Sequence, residues 1–141
     1  TAIDTSGAVP LAKSARCIEL ADLILLDIKA LDSELCRRLT GQDNKNALET
    51  LAFTRSIDKP VWVRHVLVPG LTLVERELAA LADYLTSYKN IEKVELLPFH
   101  KMGEYKWEEL KLKYELYDTP EPTPEEAETA KKIFRERGLP V

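Results

Sequence analysis

The sequence predicts an α/β protein with a parallel sheet of three to four strands flanked by helices. Three observations carry that prediction. Short apolar runs alternate with amphipathic helical segments, the order expected of βα units joined by right-handed crossovers. The run Leu23-Ile24-Leu25-Leu26-Asp27-Ile28-Lys29 is almost wholly apolar until its last residues, as in a strand covered on both faces. Each strand also delivers polar or charged residues at or near its carboxyl end, the rim where parallel α/β folds place ligands.

The elements follow in order. Ala2-Ile3 reads as the tail of a strand entering the polar turn Asp4-Thr5-Ser6-Gly7. Pro10 suits the first turn of a helix bearing Leu11, Ala15 and Ile18 at helical spacing. After the run at 23–29, Asp32 can cap a short helix that Gly41 stops. Asn46 to Glu49 has capping-box spacing, with Leu48, Leu51 and Ala52 giving the next helix its apolar side. Pro60 precedes a strand over Val61–Val68, and Pro69-Gly70 ends it. Thr72 to Glu75 has the same capping spacing ahead of an apolar stripe of Val74, Leu78, Leu81, Ala82 and Leu85. A strand over Val94–Leu97 runs into Pro98-Phe99-His100. Residues 101–121 lack periodicity and read as an ordered loop packed down by Tyr105, Trp107, Tyr114 and Tyr117. Thr123-Pro124-Glu125-Glu126 opens a last helix, with Ala127, Ala130 and Phe134 inward and Gly138 at its close.

Composition limits the function classes. The chain has 141 residues, 45% hydrophobic and 31% charged, with a net charge of −4. No run is long enough to span a membrane, and no basic patch suggests nucleic acid. The two cysteines, Cys17 and Cys36, match no metal-ligand spacing; they fit a reducing cytoplasm and read as helix-packing residues. The opening Thr1-Ala2-Ile3-Asp4 reads as the end of a strand, which makes a piece of a longer protein the expectation.

Strand alternation places Leu25, Asp27 and Lys29 on one face and Leu26 and Ile28 on the other. Arg64 shares a face with Trp62 and Val66, while His65, of opposite parity, packs under a helix. An arginine on a buried strand needs an anion or a polar cavity. Each polar residue also has a bland reading: Asp4 capping its turn, Arg64 paired with Asp27, His100 in a surface loop. Their convergence on one rim favours a ligand carrying both charge signs, such as a zwitterionic amino-acid group.

At these residues the chain resembles the glycyl-radical-activating group of the radical S-adenosylmethionine superfamily, the pyruvate formate-lyase activating enzymes. The matching pieces are Asp4-Thr5-Ser6-Gly7, Leu25 through Lys29, Val61 through Gly70, Glu95 through His100, and Gly103 through Trp107, in the family's order over most of the chain. The resemblance implies the second half of an open (β/α)6 partial TIM barrel, with residues 1–141 forming the C-terminal part of a radical S-adenosylmethionine domain. It implies S-adenosylmethionine as cofactor, a 4Fe–4S cluster in the intact protein, and a 5′-deoxyadenosyl radical that takes a hydrogen from a glycine of a partner. It also implies a glycyl radical enzyme such as pyruvate formate-lyase as partner and an electron donor such as flavodoxin. By position, Asp27, Ile28, Lys29 and His100 match residues lining the cofactor site, and Asp4 and Arg64 match others on that rim. Asp4, Thr5 and Asp27 resemble oxygen ligands of a monovalent cation.

The sequence departs from the family in three places. It holds no Cys-x3-Cys-x2-Cys motif and no Gly-Gly-Glu stretch, and Ser6 stands where members commonly have Asn. A cluster held by three thiolates needs that cysteine loop, so this polypeptide alone is expected to be inactive. Two other functions suit parts of the pattern: a Schiff-base lyase using Lys29 beside Asp27, and a non-catalytic half-barrel interaction module. A half-barrel also leaves a parallel sheet edge to be covered.

Overall fold

The structure is a computed structural model describing residues 1–141. Four strands, β1 (Ala2–Thr5), β2 (Leu23–Asp27), β3 (Val61–Leu67) and β4 (Ile91–Pro98), form one sheet in the order β1-β2-β3-β4, with every neighbouring pair parallel. The helices are α1 (Leu11–Leu20), α2 (Ser33–Thr40), α3 (Lys45–Ser56), α4 (Glu75–Leu85), α5 (Glu104–Glu109) and α6 (Pro124–Arg135). Sequential parallel strands with crossovers of one hand put the connecting helices on one side of the sheet, as in a barrel wall.

Burial follows from that winding. On the helix side, Ile24, Leu26, Val61, Val63, Leu67, Val94 and Leu96 are buried against α3, α4 and α6, with Leu51, Leu81, Leu85 and Phe134 filling the layer. On the opposite, inner side, Leu25, Asp27, Trp62, Arg64, Val66 and Glu95 are only half-buried, and Lys93 and Leu97 are exposed. The apolar run at 23–29 is therefore covered on one face, not two. Its strand ends at Asp27, two residues before the run does.

Local chemistry sets the helix ends, in places differently from the sequence pattern. Asp32 accepts the Leu35 amide at 2.6 Å, and Gly41 closes α2 in the left-handed region at φ 79°. Thr123 and Glu126 form a reciprocal capping box on α6, with Pro124 in its first turn. The two other expected boxes do not form. Asn46 lies inside α3 and donates to the Ala8 carbonyl at 2.8 Å, while the cap position falls to Asn44, whose side-chain amide donates to the Ala30 and Leu31 carbonyls. The buried face of α3 is Ala47, Thr50, Leu51 and Thr54, rotated from the expected stripe. Thr72 instead caps the end of β3: its hydroxyl accepts the Val68 amide at 2.8 Å and donates to the Val66 carbonyl. Val74 is more than a third exposed, and the rest of the α4 stripe is buried.

Strand β4 is longer than its apolar core suggests, because Ile91 and Lys93 also pair with β3. Its outer edge is capped where the Val94 amide donates to the Pro140 carbonyl at 2.7 Å. The 101–121 segment contains the short helix α5. Trp107 stacks on Tyr114 with ring centroids 5.6 Å apart, but Tyr105, Trp107 and Tyr117 stay exposed, so the aromatics do not bury the segment. Cys36 is buried in α2, as a packing residue is, whereas Cys17 is exposed on α1.

Candidate functional site at the carboxyl rim of the sheet

The strand register brings the rim together. Asp4 stands opposite Leu25, and Asp27 stands opposite Arg64, which in turn faces Glu95. All of these point to the inner side. A planar guanidinium can meet two carboxylates at once through different nitrogens. Arg64 does so: Nε donates to Asp27 Oδ1 at 2.9 Å and a terminal nitrogen donates to Asp4. The other oxygen of Asp27, Oδ2, accepts from Lys29 Nζ at 2.8 Å. The side chains of Arg64 and Asp27 are 18% and 19% exposed, against 37% for Lys29 and 63% for Asp4, so the network is sheltered at its centre and open at both ends. Burial works against the Arg64 cation, but the bonds and charges of Asp4 and Asp27 outweigh it and raise its pKa further.

The turn after β1 fixes Asp4. Thr5 Oγ1 accepts the Gly7 amide at 3.0 Å, and Gly7 adopts φ +63°. A Cβ at Gly7 would lie 2.8 Å from the Ala47 Cα, so the turn sits directly against α3. Asp27, Lys29, Cys36 and Asn44 line a crevice of about 230 Å³ between this turn and the α2–α3 connection.

The predicted residues thus fall into three groups. Asp4, Asp27, Lys29 and Arg64 form one ion-paired cluster. Ile28 is buried at 1% exposure, with its amide donating to the Arg64 carbonyl at 2.9 Å, and it offers the rim backbone only. His100 stands apart, exposed just beyond β4, beside Val66 and Leu97 in a shallow depression on the inner side. The Thr5 hydroxyl serves the turn.

Two features escaped the sequence reading. Glu95 extends the Asp27–Arg64 row and pairs with Lys93 at 2.7 Å, while Lys93 lies 4.7 Å over the Trp62 ring. Alternation over Val94–Leu97 puts Glu95 on the inner face, but the register irregularity between Ile91 and Lys93 that sets Lys93 beside it leaves no signal in the sequence. The second is His65: it does lie on the helix side, but its Nδ1 is 2.7 Å from the Ile28 carbonyl. Parity shows which side a residue takes, not which carbonyl it reaches.

The donor set fits a zwitterion, since cation and carboxylate stand side by side on an open rim. It does not fit an iron–sulfur cluster: the two thiols lie on separate helices, and no three His, Cys, Asp or Glu side chains are placed to hold a metal ion.

No family model matches the chain. Among curated proteins, it is 42% identical over 124 residues to the pyruvate formate-lyase-activating enzyme of Streptococcus mutans, covering 88% of this chain and 47% of that protein. It is 40% identical over 121 residues to that of Staphylococcus aureus, covering 85% and 48%. The chain spans about half the length of the curated relatives it matches. Among solved structures, a domain of a pyruvate-formate lyase-activating enzyme from Bacteroides vulgatus superposes with a TM-score of 0.80 at 21% identity, covering 99% of this chain and 77% of that one. A radical SAM methyltransferase from Sphaerobacter thermophilus gives 0.73 at 18%, covering 99% and 38%. These two likenesses establish the fold, a parallel sheet flanked by helices. Sequence and sheet agree, and over most of its own length the chain is a homologue of the pyruvate formate-lyase-activating enzymes.

Proposed function

We propose that this chain supplies the S-adenosylmethionine-binding rim of an activase that generates a glycyl radical on pyruvate formate-lyase or a related enzyme. The supporting observation is the cluster of Asp4, Asp27, Lys29 and Arg64 at the carboxyl ends of adjacent parallel strands. The methionyl part of the cofactor carries a carboxylate and an ammonium. Lys29, the more accessible of the two cations, meets the carboxylate; Asp27 and Asp4 take the ammonium or a cation beside it. Arg64 holds both aspartates in place and faces the ribose side. His100, beyond β4, contacts the nucleoside, and Ile28 closes the floor with backbone groups. A monovalent cation drawing on Asp4, Thr5 and Asp27 would have to take over the role the guanidinium now fills between the two carboxylates.

The bound cofactor, reductively cleaved, supplies the hydrogen abstraction from a glycine of the partner. This chain's residues bind and orient; they transfer no electron. With no site for the cluster, the chain by itself is inactive, and an electron donor such as flavodoxin acts on cluster-bearing sequence outside it. The test is calorimetric titration of S-adenosylmethionine into an intact activase carrying these residues. Lys29→Ala is expected to weaken binding about tenfold, the loss of one charge-assisted contact of about 1.5 kcal/mol. Unchanged affinity removes Lys29 from the site.

A further inference from the structure

Strand β2 leaves the sheet ladder at Asp27, yet the two residues after it must be held if the rim is to be rigid. The last Cα partners between β2 and β3 are Asp27 and Arg64. Past that point the Ile28 amide still reaches the Arg64 carbonyl, but the Ile28 carbonyl has no strand partner. An unpaired buried carbonyl is costly, and a free one would let the backbone rotate. His65 fills that place from the far side of the sheet. It follows Arg64 directly, so the residue that pairs with Asp27 on the inner face and the residue that reaches Ile28 on the helix face are neighbours on β3.

We propose that His65 is a positioning residue, whose ring Nδ1–H donates to the Ile28 carbonyl and thereby fixes Asp27 and Lys29 on the rim. A carbonyl oxygen can only accept, so the proton of this 2.7 Å contact belongs to Nδ1. The other nitrogen, Nε2, is buried with no hydrogen-bond partner, so the Ile28 carbonyl is the one bonded contact of the ring. His65 is 3% exposed. Its burial favours the neutral ring against the pull of the Ile28 and Thr72 backbone, and the Lys29 charge acts in the same direction. The neutral ring protonated at Nδ1 is the form that locks the segment.

The inference rests on the cofactor reading for its purpose, but the bond itself can be tested apart from it. Nitrogen spectra of the histidine-labelled chain at pH 7.5 are expected to show His65 protonated at Nδ1 and bare at Nε2, with a scalar coupling from the ring to the Ile28 carbonyl. His65→Asn keeps an amide N–H near the Nδ1 position; His65→Leu and His65→Gln do not. Amide exchange at Ile28 and Lys29 is expected to quicken at least tenfold in His65→Leu, and the Arg64 Nε–H signal to move, with His65→Asn close to the parent. Should His65→Leu fail to fold, His65→Gln and the parent spectrum still decide. A ring protonated at Nε2, or His65→Leu and His65→Asn behaving alike, overturns the role. In an intact activase, S-adenosylmethionine binding should weaken about tenfold with His65→Leu and stay within twofold with His65→Asn; equal affinities overturn the link to the cofactor. If Lys29→Ala binds normally while the ring–carbonyl coupling persists, the cofactor reading fails and the His65 contact stands.

Discussion

Gly7 admits no side chain. Its positive φ and the 2.8 Å approach of a Cβ to the Ala47 backbone act together, so Gly7→Ala is expected to destabilise the fold by about 2–4 kcal/mol, read from the urea midpoint. Arg64 makes a different demand. Removing it leaves Asp27 half-buried, with Lys29 as its remaining partner. Arg64→Met is expected to cost about 1–3 kcal/mol, and adding Asp27→Asn to recover part of that loss in a double-mutant cycle. At this scale strand parity was legible: the period of two is local, and it separated Asp27 and Lys29 from Ile28, and Arg64 from His65, correctly. The partners were less legible. Which carboxylate Arg64 meets depends on the register between β1, β2 and β3, which no single strand encodes.

Helix ends divide along the same line. Asp32, Gly41 and the Thr123–Glu126 box act within a few residues, so their spacing alone identifies them. Thr123→Ala is expected to lower the melting temperature by roughly 3–5 °C, in calorimetry, through loss of the α6 cap. Asn46 and Thr72 carry the same type of spacing, but tertiary partners claim their side chains: the Ala8 carbonyl for one, the end of β3 for the other. A capping pattern states only what a residue could bond locally. Deeper in the layer, Phe134 is fully buried between α6 and the sheet, and Phe134→Ala is expected to cost about 3–5 kcal/mol by chemical denaturation.

For the whole molecule, alternating β and α segments were enough to predict a parallel sheet, and consecutive strand order confirms one direction of winding. The long apolar run did not reveal that one face stays open, because apolarity records compatibility with burial and not the presence of a cover. The buried histidine gives the fold a pH dependence. Its pKa in the folded chain lies below the ordinary 6.5, so the unfolded chain binds the extra proton first. Stability from the neutral ring is fully present above pH 6.5 and declines as acidification carries the solution down toward the folded-state pKa. His65→Asn is expected to flatten that decline between about pH 6.5 and 5, above the range where carboxylates dominate, in melts across a pH series.

The Val94–Pro140 bond has a consequence for how the sheet can be enlarged. It occupies a donor on the β4 margin, and the residue supplying the acceptor has no amide proton to offer an incoming strand. The two margins are therefore unequal: one is sealed at its middle, the other, along β1, presents its backbone unobstructed by any such clasp. Any further strand that joins this wall is directed to the β1 side, next to Asp4, so that the added backbone and the charged rim meet at the same seam.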